Sequence, residues 1–351
     1  MLLPLLLTLL GPAWPGARTE HGLIVRVDSD RHTVSLTGGR YDIEPAMNEM
    51  PGMPMGMMVM QASSLLRFTW PVTGWIRGVR LRIFDENGKP LSRKLVHHIN
   101  VVNFGRRQLF YAIPERMIAM GEETEDIRVP ATVGIPVAAG MPMAALVMWH
   151  NHSPAMIKGV SFEMTVEYSP TNLVPRPVSV LPVYLDVMNP VGRDVDFDLP
   201  AGVTTWTKDF RLPLSGRIIG VGGHAHDFAT GLALQDVTDT TRPRQVVHLG
   251  IKLAPQGYIL SIERQLPGVT GDGIKLQDSH VYRLVGRYNN PTGRSIEKGA
   301  MLHMALLYVP DHPDRWPALN TADPDWVKDV ARLHDMGEVA QEKRSTLEGR
   351  R

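Results

Sequence analysis

The chain has 351 residues, which is enough for two ordinary domains, each with a core of its own. Its 37 basic and 36 acidic residues leave a formal net charge of +1, so charge gives no argument for a nucleic-acid partner. Cysteine is absent, which excludes disulfides, zinc fingers, iron–sulfur clusters and thiol catalysis.

The chain begins MLLPLLLTLLGPAWPGARTE, whose apolar run has the length of a signal-peptide core and is too short to span a bilayer. The small residues Pro15, Gly16 and Ala17 follow at the expected cleavage position, although a basic segment ahead of the run is missing. We interpret residues 1–19 as a signal peptide rather than a buried segment, and expect a periplasmic or secreted protein. No other stretch is long enough to cross a membrane.

Residues 20–61 are predicted to form a β-hairpin followed by a methionine-rich segment. The hairpin is indicated by GLIVRVDSDRHTVSL, in which apolar residues alternate on both sides of a turn. Seven of the 19 methionines fall between positions 47 and 60, interleaved with Gly, Pro, Asn and Glu, which is poor core composition. Thioethers favour Cu(I), whereas methionine is also an adaptable core filler, so copper contact and plain packing both stay open for this segment.

The pattern from about residue 22 to residue 310 is typical of β-structure. Short alternating runs such as VRLRIF and MLHMALLYV are separated by turn signals such as DENGKP and NNPTG. Short strands at this spacing favour β-sandwiches or jelly rolls. With the proline-rich segment 169–183 as the best linker, we predict an all-β protein with two jelly-roll-like antiparallel β-sandwich domains, at 62–175 and 176–312.

The C-terminal tail, residues 313–351, contains a convincing helical periodicity in DPDWVKDVARLHDMGEVAQEKR. Asp323 is a suitable N-cap and Pro324 suits the first helical turn. We predict a helix over about 323–345, and the pattern leaves open whether it packs on the body or reaches a partner.

Six of the 13 histidines form three tight clusters within β-like segments. A lone His-x-His motif is more often structural than metal-binding, and adjacent histidines share a metal only where their strand twists or bulges. Imidazole with thioether, without carboxylate or thiolate, is a copper combination more than a zinc or iron one. The stretch after the third cluster, DFATG, lacks the glutamate that a cupin iron site needs. The clusters are His97 with His98, His150 with His152, and His224 with His226, and a late strand adds Met301, His303 and Met304.

The order and local residues of these clusters resemble the copper type II, ascorbate-dependent monooxygenases, namely peptidylglycine α-hydroxylating monooxygenase and dopamine β-monooxygenase. The resemblance covers about residues 65–310 and rests on LVHHIN, HNHSP, GGHAHDF and MLHMALLYVP. It implies two jelly-roll-like sandwiches that bind one copper ion each, on either side of a solvent-filled cleft. One copper would store and deliver an electron, and the other would bind dioxygen and attack a substrate C–H bond.

The resemblance also implies a ligand for each position of the two sites. The first copper would be held by His97, His98 and His150. The second, catalytic copper would be held by His224, His226 and Met301. Met301 is preferred to Met304 because the family's ligand precedes a Tyr-x-Pro ending at the spacing seen here. We therefore expect two separate groups of ligands with a gap between them.

Several positions depart from the family. Its animal members are stapled by disulfides, and Leu302 stands where they have a cysteine. The arginine that holds the substrate carboxylate in peptidylglycine enzymes corresponds to Gly222, and a tyrosine after the ligand methionine corresponds to Ala305. An amidated-peptide substrate is therefore doubtful, as is any particular catechol. His303, where the family has asparagine, either lies near the second copper or is a structural core histidine.

The N-terminal piece has a resemblance of its own. Its hairpin and the methionines after it are similar to the opening of the small periplasmic copper-binding barrels of copper-efflux systems. Only about the first 40 residues of that pattern match, so the resemblance does not imply a whole chaperone domain. It adds to the argument for copper.

These observations favour a periplasmic or secreted dicopper monooxygenase that hydroxylates a small substrate with dioxygen and an ascorbate-like reductant. The alternative is a non-enzymatic copper-binding protein for storage, delivery or tolerance, and a structural sandwich with incidental histidines is the third interpretation. Beyond the substrate and dioxygen, a copper donor protein is a further expected partner. The six-residue ligand set favours the enzyme, whereas Gly222 and the methionine-rich segment favour the carrier.

Overall fold

The computed structural model describes residues 22–45, 61–62, 65–122, 124–151, 153–193 and 195–335. The predicted signal peptide, the methionines at positions 47–60 and His152 lie outside the described residues. The described chain is predominantly antiparallel β-structure in two jelly-roll-like sandwiches, so the predicted fold class is confirmed. Within these residues, no helix has the length and apolar character needed to cross a membrane.

The first sandwich consists of two facing sheets whose inner side chains form one core. Its strands in chain order are β1 (Ile24–Asp28), β2 (Thr33–Ile43), β3 (Gln61–Ala62), β4 (Leu66–Thr69), β5 (Gly74–Phe84), β6 (Pro90–Leu91), β7 (Val96–Arg107), β8 (Pro114–Gly121), β9 (Ile127–Arg128), β10 (Val133–Val137), β11 (Pro142–Trp149), β12 (Ile157–Pro170) and β13 (Val178–Ser179). One sheet has the order β1-β2-β12-β5-β10-β13, with β6 and β9 beside β5. The other has the order β3-β11-β7-β8, with β4 beside β11.

The second sandwich repeats this plan with two four-stranded sheets. Its strands are β14 (Leu181–Asp186), β15 (Phe197–Leu199), β16 (Gly202–Arg211), β17 (Gly216–Ala225), β18 (Ala229–Asp236), β19 (Arg244–Leu249), β20 (Ile251–Leu253), β21 (Ile259–Ile262), β22 (Ile274–Leu276), β23 (Val281–Asn290), β24 (Ile296–Ala300) and β25 (Leu302–Pro310). The sheets have the orders β14-β25-β17-β22 and β16-β23-β18-β19, and β15 with β24 and β20 with β21 form short ribbons. A one-turn helix, α1 (Pro267–Thr270), and a longer helix, α2 (324–335), complete the described elements together with 3-10 turns at Arg93–Leu95 and Pro313–Arg315.

The N-terminal hairpin is part of the first sandwich rather than a piece ahead of it. β2 pairs antiparallel with β12 over most of its length. Its inward-facing residues Val34 and Leu36 are 0% and 1% exposed. An isolated two-stranded hairpin is marginally stable in water, and pairing with β12 buries its apolar face. The domain boundary that the sequence predicts near residue 62 therefore lies between strands that belong to one sheet.

The two sandwiches have separate cores that interlock along one side. Leu109 and Ile113 lie on the connection between β7 and β8 of the first sandwich, yet both are buried in the core of the second. In the opposite direction, Ile219 of β17 packs in the core of the first sandwich. This exchange of apolar side chains sets the relative position of β7 and β17, the strands that carry His97, His98 and His224.

Helix α2 begins where the sequence indicates and packs on the first sandwich. The Asp325 N–H donates to the Asp323 carboxylate over 2.9 Å, which is the expected N-cap contact. Trp326 is 6% exposed and lies against residues of β7 and β11. Asp329, 1% exposed, accepts two hydrogen bonds from the Arg116 guanidinium, at 2.9 and 2.7 Å. Helix α2 is therefore docked on the body of the protein.

Candidate metal centre

A β-bulge turns His97 and His98 toward the same side. Against β11, His98 pairs with Met148 whereas Val96 pairs with Trp149, so His97 is the extra residue of the bulge. Both histidines are half-buried, where a regular strand would place one in the core and one in solvent. Their ring centroids are 4.9 Å apart. Adjacent histidines can share a metal ion only where their strand twists or bulges, and the strand bulges at His97 and His98.

The second sandwich presents a patch of histidines on the pair β17–β25. His224 lies directly opposite His303 in the antiparallel register. Beyond the strand ends the pairing continues, because the His226 N–H donates to the Met301 carbonyl over 3.1 Å. Opposite residues of an antiparallel pair share a face. His224, His226, Met301 and His303 therefore lie on one face, and all four are half-buried.

The intervening residues of the same strands point into the core. Ala225 is 4% exposed, and Leu302 and Met304 are 0% exposed. Met304 therefore lies on the opposite face from the histidines, inside the second core. Met301 and Met304 therefore lie on opposite faces, and Met301, the methionine preferred from the sequence, is on the face that carries the histidines.

Histidines from both sandwiches meet in a single cluster. The ring of His97 lies 5.8 Å from the ring of His224 and 5.9 Å from the ring of His226. His224 and His226 are 5.5 Å apart, and one ring nitrogen from each of His97, His224 and His226 lies within 4.8 Å of the others. His98 adds a ring 6.3 Å from His224. Metal–imidazole bonds are about 2.0 Å long, so small side-chain movements bring these three nitrogens onto one ion.

The expectation of two separate ligand groups with a gap between them is wrong for this structure. Within the described part of the chain, the trio of potential ligands that converges is His97, His224 and His226. The expected trio of His97, His98 and His150 does not form such a group there. His150 is only 3% exposed, and its backbone N–H donates to the Leu95 carbonyl over 2.9 Å. Apolar side chains exchanged between the sandwiches bring β7 and β17 together, so that His97 lies beside His224 rather than across a gap from it.

The cluster favours neutral imidazoles. Burial, followed by the proximity of His97, His224, His303 and His226, holds the pKa of His98 well below its usual value. Burial and its neighbours His224, His97 and His303 do the same for the pKa of His226. The Nε2 atom of His226 is buried and makes no hydrogen bond within the described chain. Neutral imidazole is the form that binds metal ions, so the lowered pKa values of His98 and His226 keep these two side chains in the ligating form at neutral pH.

A tyrosine and a carboxylate support the patch from the neighbouring strand β14. Asp186 lies opposite His303, and the ring of Tyr184 is 5.0 Å from the ring of His303. The Tyr184 hydroxyl donates to the Asp186 carboxylate, which also accepts from the Met188 N–H over 2.8 Å. Burial raises the pKa of Asp186 to about 6, against the opposing effect of these hydrogen bonds. The sequence analysis missed this pair because Tyr-x-Asp is an unremarkable pattern without knowledge of the strand order.

The stem of Arg264 covers Gly222, two residues before His224. A Cβ atom built on Gly222 would meet only Arg264, at 3.4 Å from Cγ and 3.8 Å from Cδ. The Arg264 guanidinium donates to the carboxylate of Glu125, in the first sandwich, over 3.1 Å. The aliphatic stem of Arg264 thus packs over Gly222, and its guanidinium links the two sandwiches through Glu125.

Comparison with known proteins leaves the family open. No protein-family model matches the chain, and no curated protein matches it. Among solved structures, a chain of Sulfolobus Turreted Icosahedral Virus aligns with 12% identity and a TM-score of 0.33, over 80% of this chain and 96% of that one. PNGase F, a glycosylasparaginase from Flavobacterium meningosepticum, aligns with 10% identity and a TM-score of 0.34, over 78% and 96%. Likenesses at this level support no conclusion about function.

Proposed function

We propose that the protein is a periplasmic or secreted copper-dependent monooxygenase, which hydroxylates a C–H bond of a small substrate with dioxygen and an ascorbate-like reductant. The observation that carries the proposal is the cluster of His97, His224 and His226, built from both sandwiches, with Met301 on the same face. These residues are among those that carry the sequence's resemblance to the copper type II monooxygenases, although His97 meets His224 and His226 in one cluster rather than two.

The donor set fits copper better than the other common metals. Within the described chain, the converging group consists of imidazoles without a carboxylate, and cysteine is absent from the whole sequence. Calcium, magnesium and manganese prefer oxygen ligands, whereas imidazole and thioether together favour copper. Zinc accepts three imidazoles as well, so the experiment below includes it.

The residues have distinct roles in the proposed site. His97, His224 and His226 would hold the metal, and Met301, which is paired with His226 on the same face, would add a soft thioether that favours Cu(I). Bound copper supplies the redox chemistry of oxygen activation. The cores behind β7 and β17 support the strands that carry these imidazoles.

A copper-binding carrier is the second candidate, and the position of β3 favours it. The methionine-rich segment ends at residue 60, and β3 begins at the next residue. Ala62 of β3 pairs with Met148 of β11, which pairs on its other side with His98. Adjacent strands lie about 4.8 Å apart, so Ala62 is about 10 Å from His98. The residue that follows the methionine-rich segment in sequence is therefore near the cluster, which favours a role of that segment in copper delivery.

Copper loading followed by product analysis tests the proposal. The full chain is loaded with copper or zinc, freed of excess metal, and assayed for metal content and for ¹⁸O incorporation into a panel of small C–H substrates with ascorbate. We expect one copper ion per chain, bound at the cluster, with preference for copper over zinc and labelled product that is lost on Met301→Ala. Zinc retention in place of copper, or no metal, would contradict both candidates. Tight Cu(I) binding without labelled product, insensitive to Met301→Ala and lost on removal of residues 47–60, would establish the carrier instead.

A further inference from the structure

The position of His303 in the sheet adds a fourth imidazole to the cluster. β25 lies between β17 and β14, and His303 faces His224 on one side and Asp186 on the other. The rings of His303 and His224 are stacked, with centroids 5.1 Å apart and an angle of 29° between their planes. Nearly parallel rings on neighbouring strands direct their edges to the same side of the sheet. That side carries His226 and faces His97.

The surroundings of His303 fix its ring without placing it in the core. Its chain neighbours Leu302 and Met304 are 0% exposed, whereas His303 is half-buried on the other face. Tyr184 packs on it with a centroid distance of 5.0 Å, and the hydroxyl of that tyrosine is held by Asp186. A ring held between His224 and Tyr184 loses little freedom when it binds a metal ion, which favours ligation.

His303 is also close to the part of the cluster that the first sandwich supplies. Its stacking partner His224 lies 5.8 Å from the ring of His97 and 6.3 Å from the ring of His98. An imidazole at this position can therefore donate a lone pair to a cation bound between the two sandwiches.

We propose that His303 is a ligand of the metal centre, so that His224, His226 and His303 of the second sandwich form a three-imidazole set that His97 completes from the first. This inference rests on the proposed function only in assuming that the cluster binds copper. It gives the second sandwich enough ligands to retain the metal by itself. His97 is then the ligand that joins the two sandwiches.

Spectroscopy and affinity on the copper-loaded full chain test the role of His303. The variants are His303→Gln and His303→Leu, and the matched control is His312→Ala, an exposed histidine on the loop after β25. X-ray absorption counts imidazoles around copper, and competition with a chromophoric Cu(I) chelator measures affinity. We expect both variants to lose one imidazole and to bind Cu(I) at least about tenfold more weakly, since even partners of metal ligands are worth 10–100-fold. The control should match the parent protein.

The outcomes separate this inference from the proposed function. The inference would be overturned if both His303 variants kept the imidazole count and the Cu(I) affinity of the parent while His224→Ala lost its copper. That result would leave the proposed function intact. Absence of copper binding by the parent chain would overturn both. If the variants do not fold, ¹⁵N NMR of the parent chain decides whether His303 binds the metal ion. A ring-nitrogen shift of His303 on addition of diamagnetic Cu(I) supports ligation, and an unmoved resonance contradicts it.

Discussion

The ring of His97 on β7 lies 5.8 Å from the ring of His224 on β17, which places the histidine-bearing faces of the two sandwiches in direct contact. Two kinds of interaction accompany this contact. Apolar side chains cross between the cores, as Leu109 and Ile219 show, and the Arg264–Glu125 ion pair lies beside the cluster. Glu125 is 90% exposed, so that ion pair contributes little stability by itself. A metal ion held from both sides would be a much stronger link.

Copper should therefore stabilise the protein against heat in a way that depends on His97. A ligand at 100 times its Kd stabilises the native state by about 2.7 kcal/mol. Loss of one ligand that weakens binding tenfold removes about 1.4 kcal/mol of this at the same copper concentration. We expect His97→Ala to halve the copper-induced rise in Tm, measured by calorimetry, and His312→Ala to preserve it. An identical rise in His97→Ala would show that the metal does not bridge the sandwiches.

Two neighbouring glycines of β17 should differ sharply in their tolerance of alanine. A Cβ on Gly223 would lie 2.3 Å from Leu232 Cδ2 and 3.0 Å from the His303 carbonyl oxygen, and Leu232 is fully buried. A Cβ on Gly222 meets only the stem of Arg264, at 3.4 Å. Gly223→Ala should lower the free energy of unfolding by about 1–3 kcal/mol, because overpacking forces the core apart.

Gly222→Ala is the matched control for that substitution. Its free energy of unfolding should stay within about 0.5 kcal/mol of the parent, as expected for a site without a clash. Urea denaturation of the metal-free protein measures both variants. Equal losses would mean that the two faces of β17 are packed alike, against the assignment of Gly222 to the open, histidine-bearing side.

The sequence predicts local features well and the relation between the two sandwiches poorly. Alternation of apolar residues predicts the strands. Asp323 is the N-cap of α2 as predicted, because its carboxylate accepts a hydrogen bond from a backbone N–H of the first turn. The bulge at His97 depends on the pairing partner Trp149, which lies 52 positions away in the sequence and carries no signal of its own. A β-bulge is defined by two strands, so one strand's residues indicate only that it is possible.

For a related reason, the sequence alone does not predict that the two histidine groups form one cluster. The distance between β7 and β17 depends on how Leu109 and Ile219 pack across the interface. In the sequence these residues have the pattern of any buried aliphatic side chain, and nothing indicates which core they enter. Likewise, His303 gains its place in the cluster from its register with His224, which requires the pairing of β17 with β25.

The docking of α2 should depend on Asp329. Its carboxylate is buried and accepts two hydrogen bonds from the Arg116 guanidinium, whose side chain is 22% exposed. Asp329→Ala should lower the free energy of unfolding by about 2 kcal/mol, because hydrogen bonds to charged groups are lost and Arg116 keeps its charge. Hydrogen exchange should also show faster exchange of residues 324–335.

The control for Asp329 is Asp325→Ala, at an exposed position of the same helix. It should leave both the free energy of unfolding and the exchange rates of residues 324–335 close to those of the parent. If the two substitutions have the same effect, the Arg116–Asp329 pair is not what holds α2 on the sheet.

Acid should destabilise the metal-free protein through its neutral histidines. An unfolded histidine binds a proton below about pH 6.5, whereas the lowered pKa of His226 keeps the folded imidazole neutral. The unfolded state therefore binds more protons, and the stability that this group contributes above pH 6.5 is lost as pH falls below it. Urea denaturation between pH 4 and pH 8 should show this loss, and His226→Gln should reduce its slope.

Asp186 should change the stability with pH in the opposite direction to His226 over part of the same pH range. Its pKa of about 6 in the folded protein lies above the ordinary value of 3.8, so the folded state binds more protons between these limits. The stability from this group is fully present below pH 3.8 and is lost as pH rises to about 6. Asp186→Asn removes this opposing effect, and the acid loss between pH 6 and pH 4 should become steeper than in the parent. A shallower loss in Asp186→Asn, or a steeper one in His226→Gln, would contradict the assigned direction of the pKa shift in that residue.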